Sequence, residues 1–246
     1  MRYWGPIRAL GGWAVIMGII GLLFPSLRES ITDETTRNGV LLQAVPFVAF
    51  FIAFLLLYAL LIVLVARTYN GRIPNRAHNP ILSVLIAGIL VGVVLLFQPF
   101  HIVGYRYGFL LLLISTFGFI LWSHVVPKSA RLELNLPKIA TLQHVVGLIA
   151  GAAILVVLTT SAVSANAPVE PYGVRQRVWD RYDDAKKAEI RDLATSDFNN
   201  VEIPFLILLN LFPAALFYFA AREASGAFVR NSGGVGGEIT PARESA

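Results

Sequence analysis

The chain has 246 residues, of which 56% are hydrophobic and only 14% charged, with a mean hydropathy of +0.67. A soluble domain of this length carries about a quarter of its residues as charges, so these proportions exclude a surface covered by water alone. The net charge of +5 does not point to nucleic acid, because the basic residues sit mainly beside the ends of apolar runs, where they orient a membrane chain and meet anionic head groups.

The charged side chains cluster in short stretches separated by long uncharged runs. A helix rises about 1.5 Å per residue, so a hydrocarbon core of about 30 Å needs about 20 apolar residues. Spans are predicted, in chain order, at 9–27, 43–66, 80–100, 107–127, 140–163 and 203–221. The apolar residues are continuous and do not alternate, so these are helices and not barrel strands. The first span is the least regular: Gly11, Gly12, Gly18 and Gly21 lower its helix propensity and Pro25 closes it early. Its N-terminal arginine and apolar segment resemble a secretory signal, but Phe24-Pro25-Ser26-Leu27 lacks the small-x-small cleavage pattern, so it is read as a retained helix. The second contains the unbroken apolar stretch Phe47–Ala66. The third and fifth carry Gly88-x-x-x-Gly92 and Gly147-x-x-x-Gly151, small-residue faces that let helix backbones approach closely.

Lys and Arg alternate between successive connections. Arg2 and Arg8, then Arg67, Arg72 and Arg76, then Lys128, Arg131 and Lys138, and finally Arg222 mark one side; Glu29, Asp33 and Glu34 outweigh Arg28 and Arg37 on the other, where Arg106 stands alone. By the positive-inside bias the basic ends are cytoplasmic. The expected fold is an all-α integral membrane protein with six transmembrane helices in an up-down bundle and both termini inside. A bacterial plasma membrane is the expected location.

Most connections are short, but an outer amphipathic segment at 169–200 separates the fifth and sixth spans. Val174 to Phe198 reads as one amphipathic helix in which Val178, Trp179, Tyr182, Ala185, Ile190 and Leu193 form an apolar stripe, with Asp183 and Lys187 as an i,i+4 pair. Val178, Trp179, Tyr182, Ile190 and Leu193 are the candidate docking surface; a solvated helical cap is the alternative. Residues 1–224 form the six-span domain, and 225–246, with Gly233-Gly234-Val235-Gly236-Gly237, is read as a flexible tail.

Absent cysteine excludes disulfides, thiolate metal sites, Cys-held iron–sulfur clusters and covalently attached haem. No metal site and no cofactor is predicted. If a b-type haem were bound, its axial ligands would be His124 and His144, at similar depth near the inner surface, although polar side chains at a membrane boundary need no ligand to explain them. In the sixth span Pro213 removes the hydrogen bond to the carbonyl of Leu209, and Asn210 one turn earlier is free to satisfy the exposed groups, bridge helices or meet a ligand's polar head. Thr159-Thr160-Ser161 are read as hydroxyls bonding back to helix carbonyls. There is no phosphate loop, no nucleophile elbow and no zinc-peptidase motif, and no catalytic residue is assigned.

The uncharged spans, the small-residue faces and the mixed-charge outer segment favour an accessory subunit of a larger, bioenergetic membrane complex, with the bilayer and other membrane subunits as partners. A carrier or channel for a small neutral or lipidic molecule, using Asn210, Pro213 and a groove along Gly88, Gly92, Gly147 and Gly151, is a second reading. A haem b and quinone electron-transfer protein is a third.

Overall fold

Uncharged runs of this length leave the backbone no polar partner except itself, and every regular element among the described residues is helical. The computed structural model describes residues 3–128 and 139–232. Helix α1 spans Trp4–Glu29 with one π-turn at Ile7–Gly11, α2 is the short Glu34–Arg37, α3 is Val40–Tyr69, α4 Asn75–Phe97, α5 Ile102–Ser123 and α6 Thr141–Asn166. Gln176–Trp179 is α7, Asp184–Asp197 is α8, and α9, Ile203–Ser232, follows a π-turn at Phe198–Glu202. Among the described residues six helices are long and apolar enough to cross a membrane, so the chain is an integral, multi-pass membrane protein set in a lipid bilayer. Leu41, Phe47 and Leu148 on these helices are 86%, 73% and 66% exposed, so their side chains face the hydrocarbon.

Several boundaries differ from the sequence reading, each for a local reason. Helix α1 passes through Pro25 to Glu29 and is not closed by it. The third span ends at Phe97, where Gln98 turns its carboxamide onto the chain: Oε1 accepts from the amides of Phe100 at 2.9 Å and His101 at 3.0 Å, and Nε2 donates to the His101 carbonyl. Arg106 consequently lies inside α5; a lone arginine does not break a helix, whereas a side-chain cap followed by Pro99 does. His78, before the expected start of the third span at 80, is buried in the first turn of α4. The 174–198 helix is two helices, because Asp183 accepts from the amide of Lys186 at 2.7 Å and caps α8, so its carboxylate serves the backbone and not a pair with Lys187. Helix α9 extends to Ser232, beyond the Ser225 start expected for the tail. The flexibility expected of the tail concerns mainly 233–246, which lies outside the described residues.

The helices fall into two units. The first holds the chain up to Ile73 together with Ile120–Lys128; the second holds Pro74–Phe119 and the chain from Ile139 onward. In the first, α1 and α3 pack antiparallel. A Cβ on Gly21 would stand 3.0 Å from the Phe50 ring and one on Gly11 would stand 3.6 Å from Leu60, while Ala14, Ala49 and Ala53 are buried between them. The turn after α3 is fixed to 126–128: Gly71, with φ +71°, donates to the Val126 carbonyl at 2.8 Å, Asn70 Oδ1 accepts from the Val126 amide at 2.9 Å, and Lys128 donates to Ile73 at 2.8 Å.

Helix α2 is short and depends on its cap. Asp33 accepts from the Thr36 amide at 3.0 Å, the Thr35 amide at 3.3 Å and both threonine hydroxyls. The Thr36 hydroxyl, then the Thr35 hydroxyl and the amides, hold the Asp33 carboxyl down at about 2. A carboxyl depressed on folding contributes stability above its unfolded value, here 3.8, and loses it as the pH falls through about 2. A carbon-detected NMR titration of Asp33 is expected to show a midpoint near 2 that moves towards 3.8 in Thr36→Val; an unchanged midpoint in the variant would remove the hydroxyl as the principal cause.

In the second unit small residues set the approach of the helices. A Cβ on Gly92 would stand 2.8 Å from the Leu112 amide nitrogen, and one on Gly108 2.6 Å from Leu95 Cβ. At Gly88 three helices meet, because an added Cβ would strike Ser115 Oγ of α5 and the Phe212 ring of α9 at 2.8 Å.

Candidate functional site

Helices α6 and α9 share a seam built at four-residue spacing, the ridge spacing that lets one helix nest on another. Gly147 and Gly151 lie against Ala214 and Tyr218; a Cβ on Gly147 would stand 2.8 Å from the Tyr218 carbonyl oxygen, and one on Gly151 3.0 Å from that of Ala214. One step further along α6 and two along α9, Gln143 meets Gly226, where an added Cβ would collide with the carboxamide. In the other direction Asn210 Nδ2 donates to Thr159 Oγ1 at 3.4 Å. The predicted Gly147–Gly151 face and Asn210 are thus parts of one helix contact. Thr160 does bond back, to the Val156 carbonyl at 2.8 Å, whereas Thr159 accepts from Asn210. Pro213 sits within an unbroken α9.

At one end of this seam a polar cluster joins α4, α6 and α9. Arg76 donates through Nε to Glu223 Oε2 and through Nη2 to Glu223 Oε1, both at 3.0 Å, the bidentate geometry that suits a guanidinium to a carboxylate. Arg222, 7% exposed, donates through Nη2 to the Arg76 carbonyl at 2.8 Å, and its guanidinium lies 5.0 Å from the Phe219 ring centre. His144 Nδ1 lies 2.7 Å from the Tyr218 hydroxyl. The Gln143 carboxamide accepts from the Ala140 amide at 2.7 Å and closes the first turn of α6. Arg222 is therefore an internal tie and not a freely solvated end charge.

The opposite end of α9 has its own tie. Tyr107 donates to Glu202 Oε1 at 2.8 Å, with Arg106 Nη1 3.7 Å from the same oxygen and Arg106 Nη2 bonded to Asn166 Oδ1 at 3.3 Å. Glu202, just before α9, and Glu223, within it, thus each bind basic or phenolic groups from neighbouring helices.

The two candidate haem ligands fall in different units, His124 in the first and His144 in the second. His124 Nδ1 lies 2.6 Å from the Ile120 carbonyl of its own helix, which fixes Nδ1 as the donor. Among the described residues no three His, Asp or Glu side chains gather as a metal site. Buried Ser115 places its hydroxyl between helices without a hydrogen-bond partner.

The connection between α6 and α9 folds on itself. Trp179 is 5% exposed, edge-on to Tyr172 at 5.5 Å with Lys187 Nζ 5.9 Å from its ring centre, and Arg191 pairs with Glu170 at 3.1 Å. Of the predicted docking residues, Trp179 is consumed by this internal packing and Tyr182 and Ile190 are half-buried, while Val178 and Leu193 are exposed. Val178 lies in a depression lined also by Arg175, Arg177 and Arg181.

Comparison of the chain with protein-family models, with curated proteins and with solved structures finds no match.

Proposed function

We propose that this protein is a non-catalytic membrane subunit that anchors by its six helices and docks a partner through the α7–α8 platform. The observation that carries this reading is the platform itself: Trp179 is used to fold it, and Val178 is left exposed among Arg175, Arg177 and Arg181. An apolar centre rimmed by guanidinium groups has the make-up of a protein interface, and arginine is enriched at interface hot spots. The charges make an acidic partner surface the best complement. The polar groups of α9 support the same reading, because Asn210, Arg222, Glu223 and Glu202 tie the chain to itself and do not converge on a ligand path.

The platform is placed outside the cytoplasm, with both termini inside and the spans alternating in direction. Arg67, Arg72, Lys128, Arg131 and Lys138 support that orientation under the positive-inside bias. Arg76 contributes less to the count, since Glu223 neutralises it.

Purification of the tagged chain from its native membrane in mild detergent is expected to bring stoichiometric partner chains. In the triple variant Arg175→Glu, Arg177→Glu, Arg181→Glu those partners are lost while the chain remains in the membrane. Recovery of the wild-type chain alone, or partners held equally by the triple variant, would overturn the docking assignment.

A further inference from the structure

Two exposed apolar residues of the platform carry rims of opposite charge. Val178, on α7, stands among Arg175, Arg177 and Arg181 in a depression of about 520 Å³. Leu193, on α8, is 63% exposed, with Asp192 beside it and Glu189 and Asp197 one helical turn to either side. We infer that the acidic surface taken by α7 is the Leu193 face of α8 on a second copy of this chain, in a head-to-tail contact. This rests on the docking reading above and names its partner, so the chain that co-purifies with a tagged copy is an untagged one.

Internal pairing decides which charges are available. Arg191 bonds Glu170 at 3.1 Å, Lys186 bonds Glu189 at 2.9 Å, and Lys187 lies 5.9 Å from the Trp179 ring centre, so every basic side chain of α8 is engaged. The acids nearest in sequence to the α7 arginines are committed as well. Asp180 accepts from Gln176 at 2.8 Å, and Asp183 caps α8. Among the described residues Arg175, Arg177, Arg181, Asp192 and Asp197 make no ion pair. What remains is bipolar: α7 is positive and the Leu193 face is negative, each around an exposed apolar side chain. Such surfaces complement one another in charge and in their apolar centres.

The direction of the faces decides the symmetry. Lys187 and Arg191, one turn apart, reach Trp179 and Glu170, so they mark the side of α8 that meets the rest of the connection. Leu193 follows Arg191 by two residues, about 200° round the helix, and so faces away from it. Helix α7 and Leu193 thus flank α8 on opposite sides and do not meet within one chain. Patches placed in this way join copies by a heterologous contact, which builds a ring or a line. The bilayer holds neighbouring copies in one orientation, so α7 of one and α8 of the next lie on the same side of the membrane.

The test uses the full chain in its native membrane, where the absence of native cysteine makes each inserted one unique. Two differently tagged copies are expressed together, one with Val178→Cys and one with Leu193→Cys, and oxidised. A disulfide-linked product carrying both tags is expected, and a chain with both substitutions is expected to give a ladder above the dimer. Arg177→Glu with Arg181→Glu on the Val178→Cys copy should lower the product about tenfold, by setting like charge against Asp192 and Asp197. Asp192→Arg with Asp197→Arg on the other copy should restore it, which also shows that the reversed chains fold. No product with both tags, a ladder that stops at the dimer, or a loss that the second reversal does not mend would overturn the assignment. A photoreactive benzoylphenylalanine at Val178 separates this outcome from the wider reading. Attachment to another copy supports both; attachment to a different chain keeps the docking platform and overturns the second copy; no attachment overturns both.

Discussion

Replacing Glu223 by glutamine is expected to destabilise the protein in detergent by about 3 kcal/mol, the lower end of the range for removing one partner of a buried ion pair. The carboxylate receives two 3.0 Å bonds from Arg76, and the buried guanidinium of Arg222 donates to the backbone of the same residue. Without that charge, two guanidinium groups share a low-dielectric end of the second unit. The side chains of Arg76 and Glu223 are 20% and 14% exposed, so water screens the pair in part and the upper end of the range does not apply. Thermal and denaturant unfolding would measure the loss, and the double replacement Arg76→Met with Glu223→Met should recover much of it, since an apolar pair leaves no orphaned charge. A loss below about 0.5 kcal/mol would place the pair among solvent-screened surface bridges.

The seam between α6 and α9 is the second sensitive place. Gly147→Leu puts a Cβ 2.8 Å from the Tyr218 carbonyl oxygen and 3.1 Å from Arg222 Cβ. Backbone cannot yield as a side-chain tip can, so the helices must separate. The expected cost is about 2–3 kcal/mol from overpacking, with simultaneous loss of the His144–Tyr218 bond. Leu148→Ala, one residue on but 66% exposed, is the control and should be nearly silent. Equal unfolding midpoints for Gly147→Leu and wild type would mean that the small-residue face is not where the helices meet.

The spans were legible because hydrocarbon thickness sets a length that composition alone can meet, and Gly88, Gly92, Gly147 and Gly151 were legible because close backbone approach excludes side chains. What escaped was set by groups distant in sequence or by local caps. Arg76 and Arg222 were counted as free end charges; the signal against this was Glu223, an acid directly after the last span, whose partner lies 147 residues away. Asn210 offered several partners, and only the fold selects Thr159. The stripe in the long connection obscured Asp183, a capping residue that breaks it in two. Gln98 with Pro99 ended the third span before Arg106, because a cap satisfies the backbone whereas a charge only changes the solvent preference of one side chain.

The most direct test of the account is the path of the chain through the bilayer, and the absence of native cysteine makes it simple. Single cysteines at Glu34, His101 and Asp184 should react with an impermeant maleimide in intact cells, whereas cysteines at Arg72 and Ala140 should react only after permeabilisation. That alternation is the result expected of six crossings with the α7–α8 platform outside. Labelling of Arg72→Cys in intact cells, or protection of Asp184→Cys, would contradict the account, because the docking platform would then lie on the other side or in the membrane.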